Sequence, residues 1–478
     1  MYSLQTAIFW TLLISVPLVL GFGAVASSAL MGRWVRYFIY PYLVILIFFS
    51  GSQYGLLEEE SSRMIYGRGS GKLFFPFVTW YVFWLAGVVG FYALWNRLSP
   101  PEAAVRKFLL LFGLVFLGQL IAAPFLTKSI FYALHYSGTM YLMNAVIFVF
   151  VLLRAFRDEK SVRELLTVFM VSVFLRDCFG LFRYVFMGGD SSNYYANFAD
   201  LNIKLTFFDI NDTILATMAA FMAAARLTDR EGMKDRPWTR LALWGFLILA
   251  SLIVILSFRR TAWTGYMAAG VAFLWLYRKR INLFLVGIYG GLALAGVFSL
   301  WLYRFAPESH GGLLGALFPD ASTAAGKLTT NTGRFFELRL ALDSIREHIL
   351  FGVGNWGQYE ASSDASVAFH RGQFFFMHSG FLHVWLKTGL IGLVAFAGAL
   401  YVTARDSVRL HGAIEPPLWK AFAALGLAGL AVSMPNILFG TPIIDYRTMQ
   451  VLGLVLVLPY LARAAWLNPT EKINGHAR

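Results

Sequence analysis

Long apolar runs separated by short polar stretches repeat along almost the whole chain. They lie near residues 7–30, 34–55, 73–96, 107–125, 137–155, 163–187, 208–226, 240–258, 261–277, 281–303, 377–404, 418–437 and 447–466. Each has about the 17–25 residues needed to cross roughly 30 Å of hydrocarbon. The pattern predicts an all-α fold, a polytopic transmembrane helical bundle of about 12–14 spans. The first run has no basic flank and no small-residue cleavage site, so it reads as a retained span. One connection breaks the rhythm, the polar stretch 304–376, and a connection of that length usually carries function. The chain therefore divides into residues 1–303 with about ten spans, the loop 304–376, and residues 377–478 with the last spans and a tail.

Lysine and arginine cluster in 154–163, 226–240 and 278–280. The positive-inside rule makes those loops cytoplasmic. Alternation then puts 304–376, the Arg259-Arg260 turn and the N-terminus outside, and the tail from Arg463 inside. The expected location is a bacterial-type inner membrane, with the large loop facing the periplasm or exterior.

Composition removes other classes. With 58% hydrophobic and 14% charged residues and a mean hydropathy of +0.63, a water-soluble fold is excluded. A net charge of +14 raises nucleic acid as a partner, but more than half of the basic residues lie in the loops and tail assigned to the cytoplasm, so none is implied. The single cysteine, Cys178, allows no intrachain disulfide and has no metal-site spacing. No internal repeat or cofactor motif is visible, so neither metal nor cofactor is expected.

Three places carry candidate chemistry. In the loop, Phe335, Leu338, Leu342, Ile345 and Ile349 recur at three- and four-residue spacing, with Arg339, Asp343, Arg346 and Glu347 on the other side, which predicts an amphipathic helix. Asn331 or Thr332 would cap it and Gly352 end it, so Arg334 falls in the first turn, where unpaired N–H groups favour an anion. A surface helix with solvated arginines fits the same pattern. The second place is Ser257-Phe258-Arg259-Arg260, two arginines inside an apolar stretch. An arginine at a span centre costs about 2.5–3.5 kcal/mol and one at its end snorkels to water, so the pair is either an interfacial anchor or an anion site. The third is Met377-His378-Ser379-Gly380, where the loop re-enters the membrane. An imidazole there suits general base work near neutrality, or serves as a polar helix end. Gly352 and Gly354 allow tight turning and close approach to a sugar or phosphate, or simply stop the helix.

The order of Ser257 to Arg260, Arg334, Phe351-Gly352-Val353-Gly354-Asn355-Trp356, and His378-Ser379 opening a helix through Leu382, Gly389 and Gly392 resembles the O-antigen ligase and polymerase superfamily. The resemblance implies a metal-independent, inverting membrane glycosyltransferase without cofactor. Its partners would be an undecaprenyl-diphosphate-linked glycan, an acceptor glycan or glycolipid, and membrane lipids. It implies that Arg260 and Arg334 hold the diphosphate, which a guanidinium can grip with two charge-assisted bonds, and that His378 orients or deprotonates the acceptor hydroxyl. Arg259, Gly352 and Gly354 are secondary candidates for substrate contact. The chain departs from the family pattern at Lys387, where relatives commonly have glutamate, which bears on a structural or substrate-tuning role. Ligase and polymerase differ only in acceptor, and nothing in the sequence marks a lipid A core site, which leans the reading towards polymerase. A transporter or flippase for a lipid-linked anion is the alternative, although no paired halves or midplane breaks are visible in the sequence.

Overall fold

The computed structural model describes residues 21–30, 32–49, 77–98, 101–126, 133–135, 137–190, 204–228, 237–281, 337–359 and 377–469. Its helices are α1 (Gly21–Leu30), α2 (Val35–Phe48), α3 (Phe77–Trp95), α4 (Val105–Leu126), α5 (Met140–Ala155), α6 (Glu159–Phe186), α7 (Ile210–Thr228), α8 (Pro237–Ile255), α9 (Arg260–Tyr277), α10 (337–347), α11 (Gly380–Ala413), α12 (Pro417–Phe439) and α13 (Tyr446–Leu467). The described residues contain no strand, and the molecule is a polytopic helical membrane protein. Each expected span from 34–55 to 261–277, and each of the three after residue 377, overlaps one of these helices. The span expected near 281–303 and most of the loop 304–376 lie outside the described residues.

Seven described helices, α3, α4, α6, α8, α11, α12 and α13, are long and apolar enough to cross a membrane, while α5 is a shorter apolar helix. α13 and α12 form the centre, with 78% and 67% of their spans buried, against 22% for the peripheral α4 and α8. α12 packs on α7, α9, α11 and α13, and α13 also packs on α5. A helix that is apolar on all sides has no wet face to present, which fits a central position.

The two ends of the bundle differ. One gathers basic side chains and surface pairs such as Arg463–Glu102 at 2.7 Å and Arg36–Glu164 at 3.6 Å. The other carries the α10 segment and the turns between α6 and α7, α8 and α9, and α12 and α13. At this loop-bearing end α2 stops, leaving carbonyls without helical partners. Arg447 donates to Leu46 O and Ile47 O, both at 2.7 Å, and Arg176 donates to Phe48 O at 2.9 Å. Cations at a helix C-terminus also oppose its dipole. Asp212 balances them, taking Arg176 through both oxygens at 3.0 and 3.1 Å and Arg447 at 2.8 Å, while Asp209 takes Arg447 at 3.1 Å. All four side chains are buried. Helices α2, α6, α7 and α13 are thereby locked together directly beneath the loops.

Candidate functional site

His378 lies just before α11, and its partner is Glu337, the first described residue of α10. One carboxylate oxygen accepts from the His378 backbone N at 2.8 Å; the other lies 2.8 Å from Nδ1. The Glu337 side chain is 3% exposed and that of His378 18%. A carboxylate accepts, so Nδ1 carries the proton and the lone pair of the neutral ring is on Nε2. A buried carboxylate orienting an imidazole in this way is the arrangement that general bases use. Tyr359 is buried beside the pair, and burial together with the nearby Glu337 carboxylate pushes its phenol up.

The amphipathic helix in the loop is present, but its inward stripe is offset from the expected one. Glu337, Ala341, Ser344 and Ile345 are buried, Leu338 and Leu342 are half-buried, and Ile349 is exposed. Arg339, Asp343, Arg346 and Glu347 are exposed as expected. The offset places an acid, Glu337, on the face that meets α11.

After α10 the chain runs along α11 at a break. Gly389 has φ 67°, ψ −171°, which interrupts the helical hydrogen bonds of α11. The loop supplies replacements. Leu386 O accepts from Val353 N at 2.8 Å, and Leu390 N donates to Ile349 O at 2.8 Å. Gln119 of α4 donates to Lys387 O at 2.7 Å. Gly352 (φ 69°) and Gly354 (φ 82°) both occupy the left-handed region. A Cβ on Gly352 would meet Leu386 O at 2.5 Å, so its close approach is to the α11 backbone. Gly352 thus has a packing reason at the break, while a Cβ on Gly354 would meet the Trp356 ring at 2.7 Å.

Lys387 is fully buried and donates to Gly357 O at 2.5 Å. Asn355 accepts from both Thr139 N and Thr139 Oγ, at 3.1 and 2.7 Å, joining the same segment to the α4–α5 connection. His383 receives Met377 N on Nδ1 and offers Nε2 to Gly138 O, each at 3.3 Å, which places its proton on Nε2. Burial and then the Lys387 ammonium push the nearby His135 imidazole down to about 4. Its Nδ1 lies 2.6 Å from Ser137 Oγ.

Arg260 begins α9 and is exposed; Arg259 is its N-cap residue and is half-buried. The preceding turn is strained at Phe258, a non-glycine with φ 50°, and is held by Ser257, whose hydroxyl donates to Val254 O at 2.7 Å. The Arg259 guanidinium lies 5.0 Å from the centre of the Phe208 ring. Beside it a cavity of about 150 Å³ opens between the starts of α7 and α9 and the α12–α13 turn. Pro442 lines the cavity and also packs against Gly380, two residues after His378. The starts of α9 and α11 therefore flank one turn. Arg334 lies outside the described residues.

Sequence reasoning missed Glu337 and His383, and noted Asn355 only as part of the Phe351–Trp356 motif. Glu337 had a signal in its spacing of four and eight residues from Ala341 and Ile345, which puts an acid on the buried stripe. Residues 245–397 match the O-antigen ligase family model. The match begins within α8, ends within α11, and contains Arg259, Arg260, Arg334, Glu337, Gly352, Gly354 and His378. No curated protein matches the chain.

Proposed function

We propose that this membrane protein, a member of the O-antigen ligase and polymerase superfamily through residues 245–397, transfers a glycan from an undecaprenyl-diphosphate carrier to an acceptor sugar on the outer face of the membrane. The observation that carries the reading is the Glu337 carboxylate on His378 Nδ1. It leaves Nε2 as the proton acceptor. The acceptor hydroxyl oxygen attacks the anomeric carbon and its proton passes to Nε2. The bond from that carbon to the diphosphate oxygen breaks on the opposite side, and the diphosphate leaves with the bonding electrons. One displacement inverts the configuration. Arg260 and Arg334 are assigned to the departing diphosphate, where fixed cations stabilise charge as it develops. Arg334 precedes Glu337, the partner of His378, by three residues in the sequence. Neither the roles of these residues nor the step requires a metal ion.

A flippase would use the arginines but has no need of an imidazole held in one tautomer by a buried carboxylate. The test is His378→Ala in the full chain at equal membrane levels. Turnover is expected to fall about 10²–10⁴-fold with carrier-lipid binding intact. Near-normal polysaccharide from this variant would overturn the assignment. His378→Gln separates orientation, which an amide can supply, from proton transfer, which it cannot.

A further inference from the structure

At the basic end of the bundle, opposite the loops, Arg106, Arg154 and Arg157 come together. Arg106 is in the first turn of α4, Arg154 in the last turn of α5 and Arg157 just after it, and all of them are half-buried. Arg157 Nε donates to Arg154 O at 3.0 Å, which draws its guanidinium back over the end of α5. Arg154 in turn feels the positive charges of both Arg157 and Arg106. The neighbouring acids are committed elsewhere. Glu102 pairs with Arg463, Asp158 caps α6 at Ser161 N, and Glu159 takes Arg163. Like charges gathered partly out of water are unfavourable until an anion joins them.

The surroundings decide which anion fits. The Arg154 guanidinium lies 4.8 Å from the centre of the Phe150 ring, and that ring is itself exposed on the outside of α5. Tyr92 of α3 is close enough to Arg157 to interact with it electrostatically, and Leu94 and Trp95, at the end of the same helix, are exposed. Both α3 and α4 are long and apolar enough to cross a membrane. The cations therefore sit where apolar helix walls meet the headgroup layer, the level at which arginine stems lie in lipid and their heads in water. A soluble phosphate would leave those rings uncovered. A phospholipid brings a phosphate for the guanidiniums and acyl chains for the rings, and a headgroup with net negative charge adds no cation of its own to a site already positive. The seat is braced, because the Asn468 amide at the end of α13 donates to Arg157 O at 3.0 Å and the Asn468 carbonyl accepts from Glu159 N at 3.1 Å.

We propose that Arg106, Arg154 and Arg157 form a seat for one anionic phospholipid, which they hold by its phosphate while its acyl chains lie against Phe150 and the exposed end of α3. Guanidiniums offer paired donors that match phosphate oxygens, and a basic pocket between helix ends is a recurring form of such a site. The seat takes no part in the proposed glycan transfer and stands without it. Its mechanical consequence reaches further. Gln119 of α4 holds Lys387 O, and Thr139, the residue before α5, is held by Asn355. A lipid that fixes the basic ends of α4 and α5 steadies the two helices against which the loop segment rests.

The test is native mass spectrometry of the purified full-length chain in detergent, titrated separately with phosphatidylglycerol, phosphatidylcholine of the same acyl chains, and inorganic phosphate. The wild type is expected to retain one phosphatidylglycerol more tightly than either other probe. Changing Arg154→Gln and Arg157→Gln together should weaken phosphatidylglycerol about thirtyfold, the worth of two arginines at an anionic headgroup, and leave phosphatidylcholine unchanged. Arg106→Gln alone, the milder change should the double variant fold poorly, should weaken it about fivefold. The control removes the same charge at the same end by Arg278→Gln with Lys279→Gln, both exposed, and should leave retention unchanged. Wild-type retention in both the double variant and Arg106→Gln would overturn the seat. Equal loss in the control would also overturn it, by making the attraction a property of the whole basic end. Phosphatidylcholine retained as tightly as phosphatidylglycerol would remove the anionic headgroup, and inorganic phosphate bound as tightly as the lipid would leave a site for a soluble anion instead.

Discussion

Replacing Glu337 by glutamine keeps the shape of the side chain and changes what it can accept. The carboxylate now receives two bonds from one residue, from His378 N and from Nδ1, both at 2.8 Å. Glutamine has one acceptor oxygen. The backbone N–H can only donate and takes that oxygen, so the amide NH₂ faces Nδ1 and Nδ1 must become an acceptor. The ring then carries its proton on Nε2 and loses the lone pair assigned to the acceptor hydroxyl. The full general-base contribution is at stake, about 10²–10⁴-fold in turnover, or about 3–5 kcal/mol of barrier. The fold loses less. Exchanging charge-assisted bonds of about 1.5–3 kcal/mol for neutral ones of about 0.5–1.5 kcal/mol leaves a destabilisation of about 1–3 kcal/mol. The assay is turnover of a carrier-linked oligosaccharide by Glu337→Gln in nanodiscs, with donor binding measured on the same sample. Turnover is expected to fall at least about hundredfold while donor binding is unchanged. Wild-type turnover in Glu337→Gln refutes the tautomer argument, and so does a loss that appears wholly as weakened donor binding.

Gly352→Ala forces a left-handed φ on alanine and drives a methyl group into Leu386 O, so the melting midpoint should drop by the equivalent of about 2 kcal/mol or more, with donor binding retained in the folded fraction. Asp212→Leu leaves Arg176 and Arg447 buried together without their shared carboxylate and should cost about 3–5 kcal/mol, whereas Arg346→Gln breaks only an exposed pair and should cost under about 1 kcal/mol in the same melt.

The helices were legible because lipid forces every spanning backbone to satisfy itself, and that constraint writes long apolar runs. Their relative placement was not. Arg176, Asp209, Asp212 and Arg447 come from three helices and a turn, and as letters they are isolated charges; their meaning is the end of α2, which the two arginines cap and the two acids balance. The loop helix was legible as amphipathic, but its buried stripe is decided by α11, and the half-buried Leu338 and Leu342 drew the predicted stripe away from Glu337. The two glycines signalled positive φ and close approach without saying to what, and the structure answers with the backbone of α11 for Gly352 and the Trp356 ring for Gly354. His378 was legible by its position at the membrane boundary, whereas the partner that gives it a defined tautomer was not.

The segment 337–357 holds the first turns of α11 from both ends. At one end Glu337 binds His378 through side chain and backbone; at the other Val353 N and Ile349 O take up backbone groups exposed by the break at Gly389, and Gly357 O accepts from the Lys387 side chain. An interrupted helix at membrane depth must have its freed carbonyls and N–H groups met by protein, and here the loop meets them. Lys387 fits that demand. Gly357 O is an acceptor in a buried setting, so the residue facing it has to donate; a glutamate there would set carboxylate against carbonyl unless the loop took another path. The departure at Lys387 therefore belongs with the path of residues 352–357 and not with the proton transfer. It also ties that path to the chemistry, because the turns of α11 that Lys387 anchors are the ones that carry His378 at their start.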